Sequence, residues 1–342
     1  MLAWQATGYG LPAEVLELRA IACPQPAAGE VRVRVEAAGL NPIDYKLIRG
    51  DLQSLLPLRF PVTPGFDACG IVDLVGEGVD DFGLGERVIF RASRDTLGAF
   101  AQHSLQPAAF LARAPRWTGA AASASLPLVA LTTVQALVDR ANAKPGERLL
   151  VHAGAGGLGS FAIQYARHLG LAVDATCSAR NADFVRSLGA EAVIAYDVED
   201  YRLRGAIYDI VLDSLGGTHT LDAFLVLKPG GVVVSVAGPP DEEMVGKFAR
   251  GWVMRQAMRW MGRRVRATAR AKDARYFRFL TESSGAQLAD VVRLVDAGTL
   301  HAVVDSVFGY EQAPAAFAKL MAGHARGKIV LDFDTAVAPE DS

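Results

Sequence analysis

Cysteine is scarce. The chain has three, Cys23, Cys69 and Cys177, far apart and odd in number. That excludes a disulfide framework and fits a reducing compartment, the cytoplasm. No uninterrupted apolar run is long enough to span a membrane. The opening residues, MLAWQATGYGLPAEV, lack the basic region and apolar core of a secretory signal. Neither sign of charge prevails, and a formal net charge of -2 gives no global attraction to nucleic acid. There is no internal repeat and no low-complexity linker; only the final residues, Ala336–Ser342, read as a frayed tail. What remains is 51% hydrophobic and 21% charged over 342 residues, the make-up of a globular enzyme with a large core. The length points to two domains.

The most informative stretch is RLLVHAGAGGLGSFAIQYARHL, from Arg148 to Leu169. Leu149-Leu150-Val151 reads as a buried parallel strand, and Phe161, Ile163, Tyr165, Ala166 and Leu169 as the apolar positions of a helix. Between them, Gly154, Gly156 and Gly159 fit G-x-G-x-x-G, with Ala155, Gly157 and Leu158 filling the loop. Gly154 allows a tight turn, Gly156 lets a pyrophosphate approach the backbone, and Gly159 lets helix and strand pack closely. The phosphates then meet the free N–H groups of the helix N-terminus. A chain with 34 glycines produces chance matches, but the strand-loop-helix setting makes this one a dinucleotide site.

Residues 1 to about 122 read as strands and turns, among them Glu30–Glu36, Gly70–Gly76 and a third strand after Val79–Arg87. This is a compact, barrel-like β domain. A helix is expected over Leu126–Leu137, passing between domains. Strands and helices then alternate: strands at Ala172–Cys177, Ala192–Ala195, Ile207–Asp213 and Gly231–Ala237, helices near Ala182–Leu188 and Thr218–Leu227. Such alternation means βαβ crossovers and a doubly wound parallel sheet, so the fold class is α/β. A strand and an amphipathic helix follow in 272–297, then a helix at Pro314–Gly323 and a strand at Lys328–Phe333.

The second strand of the dinucleotide unit ends Ala175-Thr176-Cys177-Ser178-Ala179-Arg180-Asn181. NAD sites usually carry an acid at this tip for the ribose 2′-OH. None is present, and Asp174 lies back inside the strand. Ser178 can hydrogen-bond a 2′-phosphate and Arg180 can pair with its charge, with Asn181 beside them and the Tyr196 hydroxyl after the third strand. The expected cofactor is therefore NADPH. Leu215 and Gly216 after the fourth strand, and Val236 and Gly238 after the fifth, border the ribose and nicotinamide, because ligands lie at the carboxyl ends of such strands.

Taken in order, several stretches give the chain a likeness. They are Ala38-Gly39-Leu40-Asn41-Pro42-Ile43-Asp44, Pro64-Gly65-Phe66-Asp67-Ala68-Cys69-Gly70-Ile71-Val72, Gly98–His103, Leu126-Pro127 with Leu131-Thr132-Thr133, the glycine loop, Lys228-Pro229-Gly230-Gly231, and Gly327–Leu331. With these the chain resembles the medium-chain dehydrogenase/reductases, in their zinc-independent quinone oxidoreductase and alkenal/enone reductase branch. The resemblance implies a GroES-like β domain, 1–122 and 303–342, around an inserted Rossmann domain, 123–302. It also implies a homodimer. Asn41 and Tyr45 would line the substrate pocket, Thr133 would sit beside the nicotinamide or phosphate, and Lys328 would reach the pyrophosphate. Asp44 reads as a turn or helix-start residue.

Zinc-dependent members of that family carry a Cys where this chain has Asn41 and a His where it has Phe66, with a third ligand near Val129. None of the three is a useful zinc ligand, and the four-cysteine structural lobe is missing. No metal is expected, and with no Lewis acid the case for alcohol oxidation weakens. Hydride transfer to a quinone or to a C=C conjugated to a carbonyl needs less assistance. A non-catalytic NADPH-binding protein and an alcohol dehydrogenase stay open as alternatives. One segment, Met244–Lys272, is basic and carries Trp252, Trp260, Met254, Met258 and Met261. A lid, a membrane-surface helix and a patch for an acidic partner are all open. Its apolar residues do not gather into one clean face, so a packed structural or dimer-edge helix is expected.

Overall fold

The computed structural model describes residues 1–333, so the expected tail at 336–342 lies outside the described residues. Two compact units divide the chain: Met1–Leu131 with the segment that starts at Glu282, and Thr132–Thr281.

In the first unit the longest strand, Glu30–Leu40, changes character along its length. Val31, Val33 and Val35 point inward and alternate with Arg32 and Arg34, as a half-exposed strand does; from Ala37 to Leu40 every residue is buried. The reason is the helix Ala120–Ala124, made of alanine and serine, which packs on this end. Its backbone comes so close that a Cβ on Gly39 would lie 2.5 Å from the Ala124 carbonyl oxygen. The sheet runs Val304–Gly309, Lys328–Asp332, Glu30–Leu40, Asp67–Val75, Arg87–Arg91, Leu111–Arg113, and His103–Pro107 pairs with Glu30–Leu40. Only its first pair is parallel. Leu2–Ala6 and Leu16–Ala20 form a separate antiparallel pair. These two strands and Val304–Gly309 were not anticipated from the sequence.

The second unit is a six-stranded, all-parallel sheet ordered Ala192–Ala195, Ala172–Cys177, Arg148–Val151, Tyr208–Asp213, Leu227–Ser235, Arg275–Arg278. Numbered from Arg148–Val151, that order is 3-2-1-4-5-6, the dinucleotide-binding arrangement. The order reverses between Arg148–Val151 and Tyr208–Asp213. Beneath lies a core of Leu150, Ile194, Tyr208, Val211, Phe224 and Val233. Asp174, which the sequence placed inside its strand, is fully buried there and is neutralised by Arg148 at 2.9 Å, with the Tyr208 hydroxyl donating to it at 2.8 Å.

Three expectations need correction. The helix expected over Leu126–Leu137 runs Pro127–Val134 and continues as a wider turn over Gln135–Arg140, and the boundary between the units falls inside it. The expected domain limits, 122/123 and 302/303, differ from the observed 131/132 and 281/282. The later limit moves because the helix Gly285–Asp296 belongs to the β unit: a Cβ on Gly285 would lie 2.1 Å from the Leu111 carbonyl oxygen, and the Asp296 carboxylate accepts from the Arg116 N–H at 2.8 Å. Finally, Met244–Lys272 holds a 21-residue helix, Gly251–Ala271, whose buried residues Met258, Gly262, Val265 and Ala269 do form a single stripe. Arginines interleaved with the apolar positions obscured that stripe in the sequence. The apolar stretch Ala120–Arg140 is long enough to span a bilayer, but 78% of its apolar window is buried, as in a core helix.

Gly70 sits where Asp67–Val75 crosses Glu30–Leu40, and a Cβ there would lie 2.2 Å from the Arg34 carbonyl oxygen. Gly70→Ala is expected to destabilise the chain by about 1–3 kcal/mol, as overpacking does. A thermal melt reads this directly; an unchanged midpoint would show that the sheet yields at this crossing.

Candidate functional site

Every nucleotide-binding residue expected at a strand end stands at the carboxyl edge of the parallel sheet. The glycine loop follows Arg148–Val151, Ser178 follows Ala172–Cys177, Tyr196 follows Ala192–Ala195, Leu215 and Gly216 follow Tyr208–Asp213, and Val236 and Gly238 follow Leu227–Ser235. Thr133 is fully buried at the start of the same unit.

The glycine loop is shaped by backbone contacts. Ala153 takes a left-handed φ of 53°, and the Gly154 N–H donates to the Thr176 carbonyl at 2.7 Å. A Cβ on Gly154 would lie 2.8 Å from the Ala175 Cβ, and one on Gly159 would lie 2.3 Å from the Ala153 carbonyl oxygen. Gly156 differs: its Cβ position is crowded only by Ala153 O, at 3.4 Å. It is the N-cap of the helix Gly157–His168, and no side chain caps that helix. The first-turn N–H groups of Gly157, Leu158 and Gly159 therefore face outward over a residue with no side chain, a cradle that a pyrophosphate fits.

A residue the sequence reading passed over organises this edge. Asp213 ends its strand fully buried. One oxygen accepts from the Leu215 and Gly216 N–H groups, each at 3.0 Å, and pairs with His152 Nδ1 at 3.3 Å. The other accepts from the hydroxyls of Thr220 at 2.6 Å and Ser235 at 2.8 Å. Ser235 Oγ in turn accepts from the Gly238 N–H at 2.7 Å and the Ala237 N–H at 3.2 Å. Burial opposes the charge, yet the bonds from His152, Thr220 and Gly216 hold this carboxyl well below the usual carboxylate range. One anion thus fixes both loops expected beside the nicotinamide. The glycines complete the fit: a Cβ on Gly216 would lie 2.5 Å from Ala237 O, and one on Gly238 would lie 2.5 Å from the Tyr276 hydroxyl. A lone acid closing the apolar run Ile210-Val211-Leu212 was the signal available.

At the tip of the second strand, Ser178 is half-buried while Arg180 and Tyr196 are exposed; Asn181 is buried. The Tyr196 N–H donates to the Cys177 carbonyl at 3.0 Å, which sets it beside the tip. An acid does reach this tip, although none stands at the end of the strand itself. Asp197 arrives from the neighbouring strand and accepts from the Ala179 N–H at 2.8 Å.

In the other unit the structure joins two residues that the sequence had kept apart. Asn41 is the N-cap of the helix Pro42–Arg49 in a capping box with Asp44, whose Oδ2 accepts from the Asn41 N–H at 2.7 Å. The Asn41 Nδ2 donates to Asp67 at 2.9 Å, and its Oδ1 accepts from the Lys328 ammonium, which also lies 3.1 Å from Asp67. Asp67 Oδ1 accepts from the Leu128 N–H at 2.9 Å. Lys328 is only 5% exposed and its ammonium is engaged with these two side chains. Phe66 lies buried under Arg91, 4.8 Å from the guanidinium, and Val129 is buried as well. Among the described residues no group of three or more His, Cys, Asp or Glu could hold a metal. Tyr45 is half-buried, with Arg49 at 5.5 Å from its ring centroid.

Burial pushes the Asp44 carboxyl up to about 8, with the Asp67 charge adding and the Asn41 N–H, Lys328 and Arg91 opposing. Burial also raises Asp67, against the charge of Lys328 and the bonds from Asn41 and Lys328, and it lowers Arg91 to about 10. The folded protein therefore holds a proton on Asp44 that the unfolded chain releases above about pH 4. Stability should fall as pH rises from about 4 to about 8, by up to about 1.4 kcal/mol per pH unit. Asp44→Asn keeps an acceptor for the Asn41 N–H and should flatten that slope in urea titrations taken across the range. A slope that survives the substitution would assign it to another group.

The zinc-binding dehydrogenase family matches residues 188–331 and the alcohol dehydrogenase GroES-like domain matches residues 27–116. A quinone-oxidoreductase homolog, chloroplastic, from Spinacia oleracea is 33% identical over 97% of this chain and 98% of its own. An NADPH-dependent alkenal/one oxidoreductase, chloroplastic, from Arabidopsis thaliana is 32% identical over 97% of this chain and 79% of its own. The solved quinone oxidoreductase of Coxiella burnetii superposes with a TM-score of 0.85 at 31% identity, covering 97% of this chain and 99% of that one.

Proposed function

Since the chain belongs to the medium-chain dehydrogenase/reductase family, we propose that it is an NADPH-dependent enzyme delivering hydride to a quinone or to the C=C of an α,β-unsaturated carbonyl. One observation carries the reading: at the point where the strand order reverses, an uncapped helix N-terminus lined by glycine stands beside two loops held by Asp213. Gly154, Gly156, Gly157, Leu158 and Gly159 would hold the pyrophosphate. Ser178, Arg180 and Tyr196 would take the 2′-phosphate, and Leu215, Gly216, Val236 and Gly238 the ribose and nicotinamide. When bound, the cofactor supplies the hydride. What the chain adds is orientation and charge. Asn41 and Lys328 fix a charge-paired, hydrogen-bonded centre on Asp67 in the β unit, and the Tyr45 hydroxyl would donate to the oxygen of the developing enolate.

The reaction proceeds in this reading without zinc. Asn41 spends its amide on Asp67 and Lys328, and Phe66 and Val129 offer no lone pair. An isolated carbonyl would then form an alkoxide with little to stabilise it, whereas a conjugated acceptor spreads the charge and takes its proton from water. The three cysteines are free thiols, which suits a reducing compartment, the cytoplasm in this reading, though both plant relatives carry chloroplastic in their names. A homodimer is supported by the strand Arg275–Arg278, which ends the parallel sheet and leaves an edge to pair.

The cofactor reading is tested by titrating NADPH and NADH fluorescence. Arg180→Ala should cost about 1.5–3 kcal/mol of NADPH binding, the range for a hydrogen bond to a charged group, and leave NADH almost unchanged. Equal weakening of both would remove Arg180 from the 2′-phosphate.

The reaction is tested by following NADPH oxidation with an ortho-quinone and a panel of alkenals. If Tyr45 donates to the enolate, Tyr45→Phe should lower kcat as well as kcat/KM; if it only lines the pocket, KM alone should move. Turnover of none of these acceptors, together with steady oxidation of a secondary alcohol by NADP, would replace this reading with alcohol dehydrogenation.

A further inference from the structure

The helix Gly251–Ala271 shows two faces, and the fold uses one of them. Met258, Gly262, Val265 and Ala269 turn inward, and a Cβ on Gly262 would lie 2.2 Å from the Pro240 carbonyl oxygen. That close approach fixes the rotation of the helix about its axis. At 100° per residue, Val253, Ala257, Trp260, Ala267 and Ala271 then project to the opposite side, with Arg264 among them. Val253 is 74% exposed and Trp260 64%; Trp252 and Met261 stand exposed on the shoulders.

The helix carries Arg255, Arg259, Arg263, Arg264, Arg266 and Arg270 and no acidic residue. Arg259 and Arg266 reach Glu242, at 3.2 and 3.5 Å, and the Arg263 guanidinium lies 3.8 Å over the Trp260 ring. Among the described residues the side chains of Arg255, Arg264 and Arg270 are exposed and make no hydrogen bond or ion pair. Arg255, Arg259 and Arg263 follow one another at i, i+4, as do Arg266 and Arg270, a spacing at which like charges repel. The surface is thus one of exposed indole, aliphatic side chains and uncompensated guanidinium on a helix about 31 Å long.

We propose that this face lies on an anionic lipid surface, with Trp260 and Val253 entering the headgroup boundary and the arginines on lipid phosphates. The mixture is what an in-plane helix needs: an apolar strip to bury, Arg264 within it, and a row of cations along one flank whose stems reach past it. Charge excludes the simplest alternative. In a two-fold pairing of two copies through this face, the helix meets itself, and Arg264 and the unpaired flanking arginines of one copy meet those of the other with no carboxylate on either helix. A lipid phosphate layer removes the repulsion that a second copy would double. The proposal concerns where the protein docks and does not depend on its reaction.

The test is co-sedimentation of the full chain with vesicles of phosphatidylcholine alone and of phosphatidylcholine mixed with phosphatidylglycerol. Binding is expected only to the second, falling as salt is raised, with a blue shift of tryptophan emission that Trp260→Phe reduces. Arg255→Gln, Arg264→Gln and Arg270→Gln should each lower partitioning about fivefold, the effect of one basic residue near an anionic surface. These side chains are exposed, and circular dichroism melts unchanged by the substitutions verify that the fold does not depend on them. Equal binding to both vesicles, or none to either, overturns the proposal. So does a dimer in analytical ultracentrifugation that combining Arg255→Gln, Arg264→Gln and Arg270→Gln in one chain strengthens, which would place a second copy on this face. Retention on RNA with no vesicle binding would equally overturn it.

Discussion

A parallel sheet that binds a dinucleotide must hold several loops in register at one edge with almost no side chains between them. Here a single buried anion meets that constraint. Asp213 receives two backbone N–H groups, two hydroxyls and an imidazole, and through Ser235 it governs two more N–H groups in the loop after the next strand. Its charge is held locally, by the imidazole of His152 and by the dipoles of hydroxyl and backbone N–H groups. The glycines around it follow from this: loops drawn in to a common carboxylate touch backbone to backbone, and Gly216 and Gly238 leave the needed room.

The β unit uses the opposite device. Asp67, equally buried, is matched by a full cation, and the Lys328–Asn41–Asp67 contact ties two strands to the starts of two helices. Removing one partner of such a buried pair typically costs about 3–5 kcal/mol, because the other charge is left uncompensated. Asp44 and Arg91 extend the cluster, and their shifted proton affinities register how little water reaches it. Both candidate regions are therefore organised by buried polar groups, and in both the polar groups hold backbone in place.

Much of this was legible in the sequence, and the legible parts share a cause. Strands and helices with strong periodicity were found close to their true limits: Ala172–Cys177 and Ala192–Ala195 coincide with the structure. The glycine loop was readable because each glycine answers a local steric demand. The remainder depends on contacts distant in sequence. That Asn41 and Lys328 would meet requires knowing that Lys328–Asp332 pairs with Glu30–Leu40, which no local pattern states. Asp197 reaches the tip of the second strand only through the pairing of Ala192–Ala195 with it. The helix Gly251–Ala271 misled for another reason, since its inner stripe includes a glycine and an alanine that a hydrophobicity count scarcely registers.

The order of the β sheet also bears on how the chain comes into being during synthesis. Its strand Lys328–Asp332 lies inside the sheet, between Val304–Gly309 and Glu30–Leu40, so the sheet cannot close until that strand has left the ribosome. Asp67 waits 261 residues for its cation. The unit Thr132–Thr281 is continuous and carries all six of its strands in one span, so it can complete its fold first, as domains made in one piece do. During that interval the nascent β segment exposes the Ala37–Leu40 edge of Glu30–Leu40 and an uncompensated carboxylate together, and a bare edge of this kind is open to wrong pairing.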